Sequence, residues 1–267
     1  MASGGAGEEA KKDYIMDHLL DGPELHLPFL HVHLPHFELF GYDISITRHI
    51  VMMWVAVVFL VTTLLISTRR RGMVPSGFAN LVESLVIFIR DEIAKPNIGE
   101  KEHRRFVPYL LTVFFFILTC NFLGLIPGGA TATGNISVTA GLATMTFLVT
   151  QIGGMMHNGV FHYWKGLVPG GLPFPITLIL IPIEIIGLFS KPFALTIRLF
   201  ANMTAGHVII LAILGLIFFF KAYAVAAVAV PFTLAIYLLE IFVAMIQAYV
   251  FTMLSAVFIG MAVHQEH

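Results

Sequence analysis

The chain of 267 residues carries 15 basic and 16 acidic side chains, and 58% of its residues are hydrophobic while 12% are charged. The net charge of −1 and the lack of a basic patch give no indication of nucleic-acid binding, and the single Cys120 excludes an internal disulfide framework. Apolar runs near twenty residues recur, which is the length that a helix needs to cross about 30 Å of hydrocarbon. The composition therefore predicts an all-α polytopic membrane protein.

Residues 1–48 form the predicted aqueous N-terminal tail, and residues 49–267 form the membrane domain. The tail has eight acidic and three basic residues, so it lacks the basic start and apolar core of a signal peptide. Four histidines cluster in it: His26, His31, His33 and His36. Imidazoles are common metal ligands. However, no cysteine accompanies them and Pro28 and Pro35 break any helix, so a solvated or interface-lying segment is favoured, and no metal or cofactor is predicted.

The first span is predicted over 49–67. The segment 68–105 that follows carries eight Lys or Arg residues, and the positive-inside rule therefore places it in the cytoplasm and the tail outside. Apolar residues recur in this segment at spacings of three or four: Phe78, Leu81, Leu85, Ile89 and Ile93. One apolar stripe of this kind predicts an amphipathic helix over 76–94 that lies along the cytoplasmic interface instead of crossing the membrane.

A pair of spans over 106–126 and 136–154 is predicted next, the first returning outward and the second coming back in. The Gly- and Thr-rich loop 127–135 between them carries no charge, as expected of a short external turn. Asn121 is the polar residue of note in the first of these spans. A role in ion access is one interpretation of Asn121, and a simple hydrogen bond to a neighbouring backbone is the other.

Two long apolar segments, 175–220 and 223–263, end the membrane domain. The second would be on the order of 60 Å long as a helix at 1.5 Å per residue, and a hydrocarbon core of about 30 Å cannot hold it upright. The two segments are therefore predicted to form a long, strongly tilted antiparallel hairpin, whereas the three earlier spans are roughly upright. The turn near Lys221 lies outside, because three crossings precede the hairpin.

Polar residues lie at helical spacings on both arms of the hairpin: Glu184, Lys191, Arg198 and Asn202 on the first, and Glu240 and Gln247 on the second. Counted from a turn near residue 222, Arg198 and Gln247 fall at a similar depth. His207 and Glu240 are roughly level with each other and lie nearer the external turn. Glu184 lies on the other side of Arg198, toward the cytoplasm.

Arg198 is the residue on which the interpretation depends. A charge within the membrane costs from about 2.5 to above 10 kcal/mol, and a guanidinium cannot escape this cost by losing its proton. Titratable groups lie within reach of water from each side of the membrane, and a fixed cation lies between them. This arrangement is the one expected of two offset half-channels. A carrier between the half-channels needs a carboxyl group, and the chain has no spare acidic residue at that depth. The carboxylate is therefore predicted to belong to a partner.

Simpler interpretations stay open at this point. Arg198 could form a buried ion pair with Glu184 or Glu240, and His207 and Glu240 could be a structural pair. An ion-coupled secondary transporter or channel with an Arg-centred binding site would show internal repeats with broken helices, which the sequence lacks. A membrane-embedded enzyme with histidine metal ligands would need several histidines at helical spacing, and apart from His49 at the start of the first span, only His207 lies within the predicted membrane spans.

The segments Ser190–Pro192 and Arg198–Met203 resemble the signature of the subunit a family of F-type ATP synthases. Flanking features match it as well: Asn121 with Pro127 after it, Glu184 before the arginine, and Gln247 on the last helix. The resemblance covers about residues 45–264. It implies a membrane stator that passes protons through two half-channels, and a non-catalytic subunit without a nucleotide site of its own. The chain has no Gly-Lys-Ser/Thr phosphate-binding loop.

The resemblance also implies partners and roles. The partners are a ring of c subunits that each bear one carboxylate, the b subunits of the peripheral stalk, other ATP synthase subunits, the lipid bilayer and the translocated protons. The implied location is a bacterial-type inner membrane, with the N-terminus outside and the C-terminus cytoplasmic. Arg198 would engage the ring carboxylate, with Gln247 supporting it. The implied proton path comprises His207 and Glu240 on the outer side, Glu184 on the inner side, and Asn121 and Asn202.

One feature departs from the family pattern. In many members the position of His207 holds a carboxylate and the position of Glu240 holds a histidine, and here the two are exchanged. Because the hairpin puts these positions level, an exchange preserves the pair. The departure therefore supports a contact between His207 and Glu240.

Overall fold

The computed structural model describes strand residues 24–27, 30–33, 38–39 and 42–43, and then residues 47–69, 77–126, 131–166, 174–220 and 223–264. Several sequence predictions fall outside these described residues: those on most of the tail with His36, on the start of the loop at Pro127, and on the turn at Lys221.

The helices account for most of the described chain. In chain order they are α1 (Arg48–Arg69), α2 (Phe78–Phe88), which continues as a π-helical segment (Ile89–Ala94) into α3 (Lys95–Ile98), α4 (His103–Gly124), a 3₁₀ turn (Ala132–Gly134), α5 (Ile136–Asn158), α6 (Val160–Gly166), α7 (Phe174–Phe220) and α8 (Tyr223–Val263). In the described ranges, five of these helices are long and apolar enough to cross a membrane: α1, α4, α5, α7 and α8. The predicted all-α polytopic fold is confirmed, while the tilt of the last two helices and the interfacial position of α2 stay predictions.

Short strands in the tail were not predicted. The strands β1 (Glu24–Leu27) and β2 (Leu30–His33) pair antiparallel, as do β3 (Glu38–Leu39) and β4 (Tyr42–Asp43). Leucine or valine alternates with histidine or glutamate in β1 and β2, and a period of two is the pattern that favours a strand. In the register of the first pair, His26 lies opposite His31.

The chain divides into two compact units. The first unit contains Met1–Phe59, Leu118–Asn135 and Phe200–Ile246, and the second contains Leu60–Ile117, Ile136–Leu199 and Gln247–His267. Helices α1, α4, α7 and α8 each contribute one stretch to either unit. Arg198 and Gln247 both belong to the second unit, close in sequence to its boundaries.

Hydroxyl groups join three helices inside the second unit. Tyr109 on α4 lies 2.8 Å from the Thr146 hydroxyl on α5, and that hydroxyl lies 3.4 Å from the Ser255 hydroxyl on α8. Lipid offers no hydrophobic drive for helices to associate, so small residues and hydrogen bonds between helices contribute more to packing in a membrane. These contacts fix α8 beside the predicted span pair.

Side-chain hydrogen bonds hold the end of α8 against two other helices. The Asn158 amide donates to the carbonyls of Ala262 and Val263 at 3.1 and 3.2 Å, and so caps carbonyls that have no partner within the helix. The Nε2 of His264 donates to the Ile98 carbonyl at the end of α3, at 2.7 Å. The C-terminal end of α8 therefore has a fixed position against α3 and α5.

Gly260 permits this docking, and we expect Gly260→Ala to disrupt it. A Cβ at Gly260 would overlap the backbone carbonyl of Asn97, which cannot move as a side chain can. The variant should lose about 1–3 kcal/mol of stability, the usual cost of overpacking. Thermal unfolding of the purified protein in detergent measures the loss.

Gly141→Ala is the matched control, because Gly141 lies on a helix of the same unit and a Cβ there would meet nothing within 4 Å. This substitution should be neutral or stabilising, since alanine favours the helix over glycine by about 0.5–1 kcal/mol. Equal unfolding temperatures for the two variants would contradict a close contact at Gly260.

Candidate functional site

The structure brings His207 of α7 and Glu240 of α8 into contact. Nδ1 of the imidazole lies 3.2 Å from Oε1 of the carboxylate. The Glu240 side chain is 7% exposed and the His207 side chain 26% exposed, so the carboxylate is the deeper of the two. A buried carboxylate needs a hydrogen-bond partner or a counter-charge, and the imidazole is positioned to supply it.

Gly206, directly before His207, makes room for the carboxylate. A Cβ at this position would overlap the Glu240 side chain. Any other residue at 206 would therefore displace Glu240 from the face of α7 on which His207 lies. The sequence analysis did not single out Gly206, although a glycine next to an intramembrane histidine is a usable signal.

The second ring nitrogen of His207 faces two oxygen atoms. Nε2 lies 3.0 Å from the Gly124 carbonyl and 2.8 Å from the Thr131 hydroxyl. A carbonyl only accepts, so Nε2 carries a proton when it is bonded to Gly124. Nδ1 then shares one further proton with Glu240, either as imidazolium and carboxylate or as imidazole and carboxylic acid. Both forms satisfy the same contacts, so the pair can accept and release a proton without losing a hydrogen bond.

The loop between α4 and α5 enters the protein interior within its described part. Thr131 is 5% exposed and Thr133 is 0% exposed, and the external location of this loop stays a prediction. The Thr133 hydroxyl donates to Asn121 Oδ1 at 2.7 Å, and the Asn121 amide donates to the Ala244 carbonyl at 3.2 Å. Asn121 thus ties the loop to α8. Sequence reasoning missed both threonines, for which the only signal was a Thr-rich, uncharged loop between two spans.

Arg198 is exposed on the surface of the chain although it lies within the long apolar helix α7. Residues one turn away on the same face, Ala194 and Ala201, are small and also exposed. Within the described part of the second unit, no carboxylate forms an ion pair with Arg198, Glu184 included. An intramembrane cation without an internal partner needs one from outside the chain.

The other predicted residues near Arg198 differ in environment. Gln247 is 2% exposed and belongs to the same unit as Arg198. Asn202 is exposed and belongs to the first unit, with His207, Glu240 and Asn121. The predicted site residues therefore divide between the units, with Arg198, Gln247 and Glu184 in the second.

Glu184 lines a cavity of about 340 Å³ in the second unit. The walls come from α5, α6, α7 and the end of α8, and their polar side chains are Thr146, Thr150, Gln151, Tyr163, Glu184, Lys191 and His264. A cavity of this volume has room for several waters, and its polar side chains can hydrogen-bond to them. The sequence analysis predicted Glu184 but not the lining residues from α5 and α6.

Two contacts define the polar wall of this cavity. The Tyr163 hydroxyl donates to Gln151 Oε1 at 3.0 Å, and burial raises the pKa of Tyr163, so the hydroxyl stays protonated near neutral pH. The Lys191 ammonium lies 5.6 Å from the centre of the Phe258 ring, a cation–π distance. The cavity therefore contains a carboxylate, an ammonium and neutral hydrogen-bonding groups side by side.

Comparison with known proteins gives the family. A family model described as ATP synthase A chain matches residues 50–260. The chain belongs to this family. It is 54% identical to ATP synthase subunit a of Chloroherpeton thalassium over 257 residues, which cover 94% of this chain and 77% of that protein. It is 54% identical to ATP synthase subunit a 2 of Chlorobaculum tepidum over 262 residues, 96% of this chain and 74% of that protein.

A third relative shows a similar identity over a shorter stretch. ATP synthase subunit a of Myxococcus xanthus is 55% identical over 228 residues, which cover 84% of this chain and 75% of the relative. The predicted resemblance to subunit a is confirmed. As a family member, the chain is a multi-pass membrane-sector subunit of ATP synthase, and its processes are proton transport and ATP synthesis.

Proposed function

We propose that the chain is the stator that conducts protons through two offset half-channels separated by Arg198, and that it exchanges these protons with carboxylates on a rotating ring of c subunits. The observation that carries the proposal is the exposed Arg198, which lies on a face of small residues and has no ion pair within the described part of its unit. Small residues let a partner helix approach closely in a membrane. A carboxylate on that helix would neutralise Arg198 during each encounter.

The outer half-channel is proposed to pass through the His207–Glu240 pair. The shared proton described above can be taken up on one side and released on the other without leaving either group unsatisfied. Asn121 holds the adjoining loop in place, and Asn202 lies along the same path. The positive charge of Arg198 would then repel a proton that attempts to cross directly to the other half-channel.

The inner half-channel is proposed to open through the cavity that Glu184 lines. A hydrated cavity can deliver protons through water and hydroxyl groups, and its carboxylate attracts them. Gln247 is proposed to support Arg198 from the second arm of the hairpin. The same function implies that the chain contacts the b subunits of the peripheral stalk and lies in a bacterial-type inner membrane. Its N-terminus is proposed to be external and its C-terminus cytoplasmic.

Crosslinking from the face that carries Arg198 tests the proposed partner. We expect Ala194→Cys, labelled with a photoactivatable maleimide in the assembled complex, to crosslink to a small proteolipid, because Ala194 lies one turn from Arg198 and is exposed. Mass spectrometry of the adduct identifies the partner. The only native cysteine, Cys120, is buried and gives little background.

Phe193→Cys is the matched control, since Phe193 is 65% exposed but lies about 140° around the helix from Arg198 at nearly the same depth. It should label as well as Ala194→Cys and give no proteolipid adduct. A lack of adduct from Ala194→Cys despite complete labelling, or equal adducts from both positions, would remove the support for a ring facing Arg198.

A further inference from the structure

We infer that Thr131 is a member of the outer proton relay, in which its hydroxyl lets His207 exchange its Nε2 proton. The inference rests on the proposed function, since it adds a residue to the proposed outer half-channel. It starts from the contact of 2.8 Å between the Thr131 hydroxyl and Nε2 of His207. No sequence motif points to this threonine.

The two oxygen atoms beside Nε2 differ in the hydrogen bonds that they can form. The Gly124 carbonyl, at 3.0 Å, can only accept a hydrogen bond, so it satisfies Nε2 only while that nitrogen is protonated. With Gly124 alone, loss of the Nε2 proton would set two lone pairs against each other. The Thr131 hydroxyl accepts from protonated Nε2 and donates to deprotonated Nε2. It is therefore the group that satisfies the imidazole in both states.

The same hydroxyl can pass a proton inward. When Nε2 is deprotonated and Nδ1 is bonded to ionised Glu240, the Thr131 hydroxyl proton moves to Nε2 while Thr131 Oγ1 receives a proton from a hydronium ion on its other side, which becomes water. The hydroxyl is restored, and the imidazole becomes imidazolium. The Nδ1 proton can then move to Glu240 Oε1, 3.2 Å away, which leaves a neutral imidazole and a neutral carboxylic acid. One proton has entered the pair, and none has been created or lost.

The residues around Thr131 favour the contact between its hydroxyl and His207. Thr131 is 5% exposed, and a Cβ at Gly124 would overlap its side chain, so a glycine is needed for the threonine to reach His207. Two residues further along, Thr133 is fully buried and bonded to Asn121. The loop is thus anchored two residues beyond the hydroxyl that faces the histidine.

Thr131→Val tests the inference in the complete ATP synthase reconstituted in vesicles. Valine has nearly the shape of threonine but no hydroxyl. We expect normal assembly and a fall in both proton-driven ATP synthesis and ATP-driven proton pumping of at least about tenfold, the effect of losing one hydrogen bond to a charged group. Thr131→Ser keeps the hydroxyl and should retain most of the wild-type rate.

Thr252→Val is the matched control, because Thr252 is also buried and its hydroxyl donates to the Ala248 carbonyl of its own helix. This control should keep the wild-type rates. If Thr131→Val assembles and pumps normally, the inference is wrong. If Thr131→Val fails to assemble, the smaller variants Thr131→Ser and Thr131→Ala decide: an active serine and inactive alanine variant support the relay, and equal rates overturn it.

The variant Arg198→Ala distinguishes a failure of the role of Thr131 from a failure of the proposed function. Normal rates for Thr131→Val together with an inactive Arg198→Ala would overturn only the role of Thr131. Coupled rates that are normal in both variants would overturn the proposed function as well.

Discussion

Arg198→Ala is expected to abolish proton-driven ATP synthesis and ATP-driven proton pumping while the complex still assembles. The guanidinium is exposed on α7, and within the described part of its unit no carboxylate neutralises it. Its proposed partner is the ring carboxylate, which must lose its proton in the membrane to pass from one half-channel to the other. Removing the cation leaves that carboxylate without a counter-charge, and it stays protonated.

The expected loss is at least about a hundredfold in either rate, comparable to the removal of one electrostatic contact from an enzyme site. Rates are measured in vesicles that contain the purified complex, by luminescence for ATP and by quenching of a pH-sensitive dye for pumping. Arg198→Lys should recover only a fraction of the activity. The lysine ammonium is a compact charge that can lose its proton when desolvated, whereas the guanidinium cannot.

Lys165→Gln is the control for Arg198→Ala, because Lys165 is an exposed cation of the same unit on α6, outside the predicted spans. It should retain wild-type rates. Dye quenching of normal size in vesicles with Arg198→Ala would contradict the role of Arg198 as the fixed cation. A proton leak in the variant without ATP synthesis would instead fit the loss of the barrier between the half-channels.

The pairing of His207 with Glu240 could be predicted from the sequence. A helix advances by a constant 1.5 Å per residue, so counting from a turn near residue 222 was enough to set His207 level with Glu240. The structure has these two side chains in contact at 3.2 Å. The same count sets Gln247 level with Arg198, and that remains a prediction.

Loop paths and helix neighbours could not be obtained in this way. Thr131 and Thr133 lie in a segment without periodicity, so no count could assign them to His207 or Asn121. Gly124 and Gly206 matter for the side chains that fill their missing Cβ positions, and a single sequence does not record those neighbours. The cavity around Glu184 was missed for the same reason, because its lining from α5 and α6 depends on which helices pack together.

Exchanging the two members of the pair, in the double variant His207→Glu and Glu240→His, should retain more activity than either single change. His207→Glu puts two carboxylates face to face, and only one of them can ionise at close range. Glu240→His leaves two imidazoles without a carboxylate to stabilise the charged form. Each single variant should therefore lose proton-driven ATP synthesis, measured in reconstituted vesicles, by at least about tenfold.

The double variant restores one imidazole and one carboxylate at the same site, and coupling between residues in contact is typically about 0.5–3 kcal/mol. Recovery should nevertheless be incomplete. A glutamate at 207 cannot donate to the Gly124 carbonyl once it is ionised, and the Thr131 hydroxyl then meets a carboxylate oxygen in place of Nε2. A double variant that loses activity by the product of the two single losses would argue that His207 and Glu240 act separately, because the effects of independent residues add in free energy.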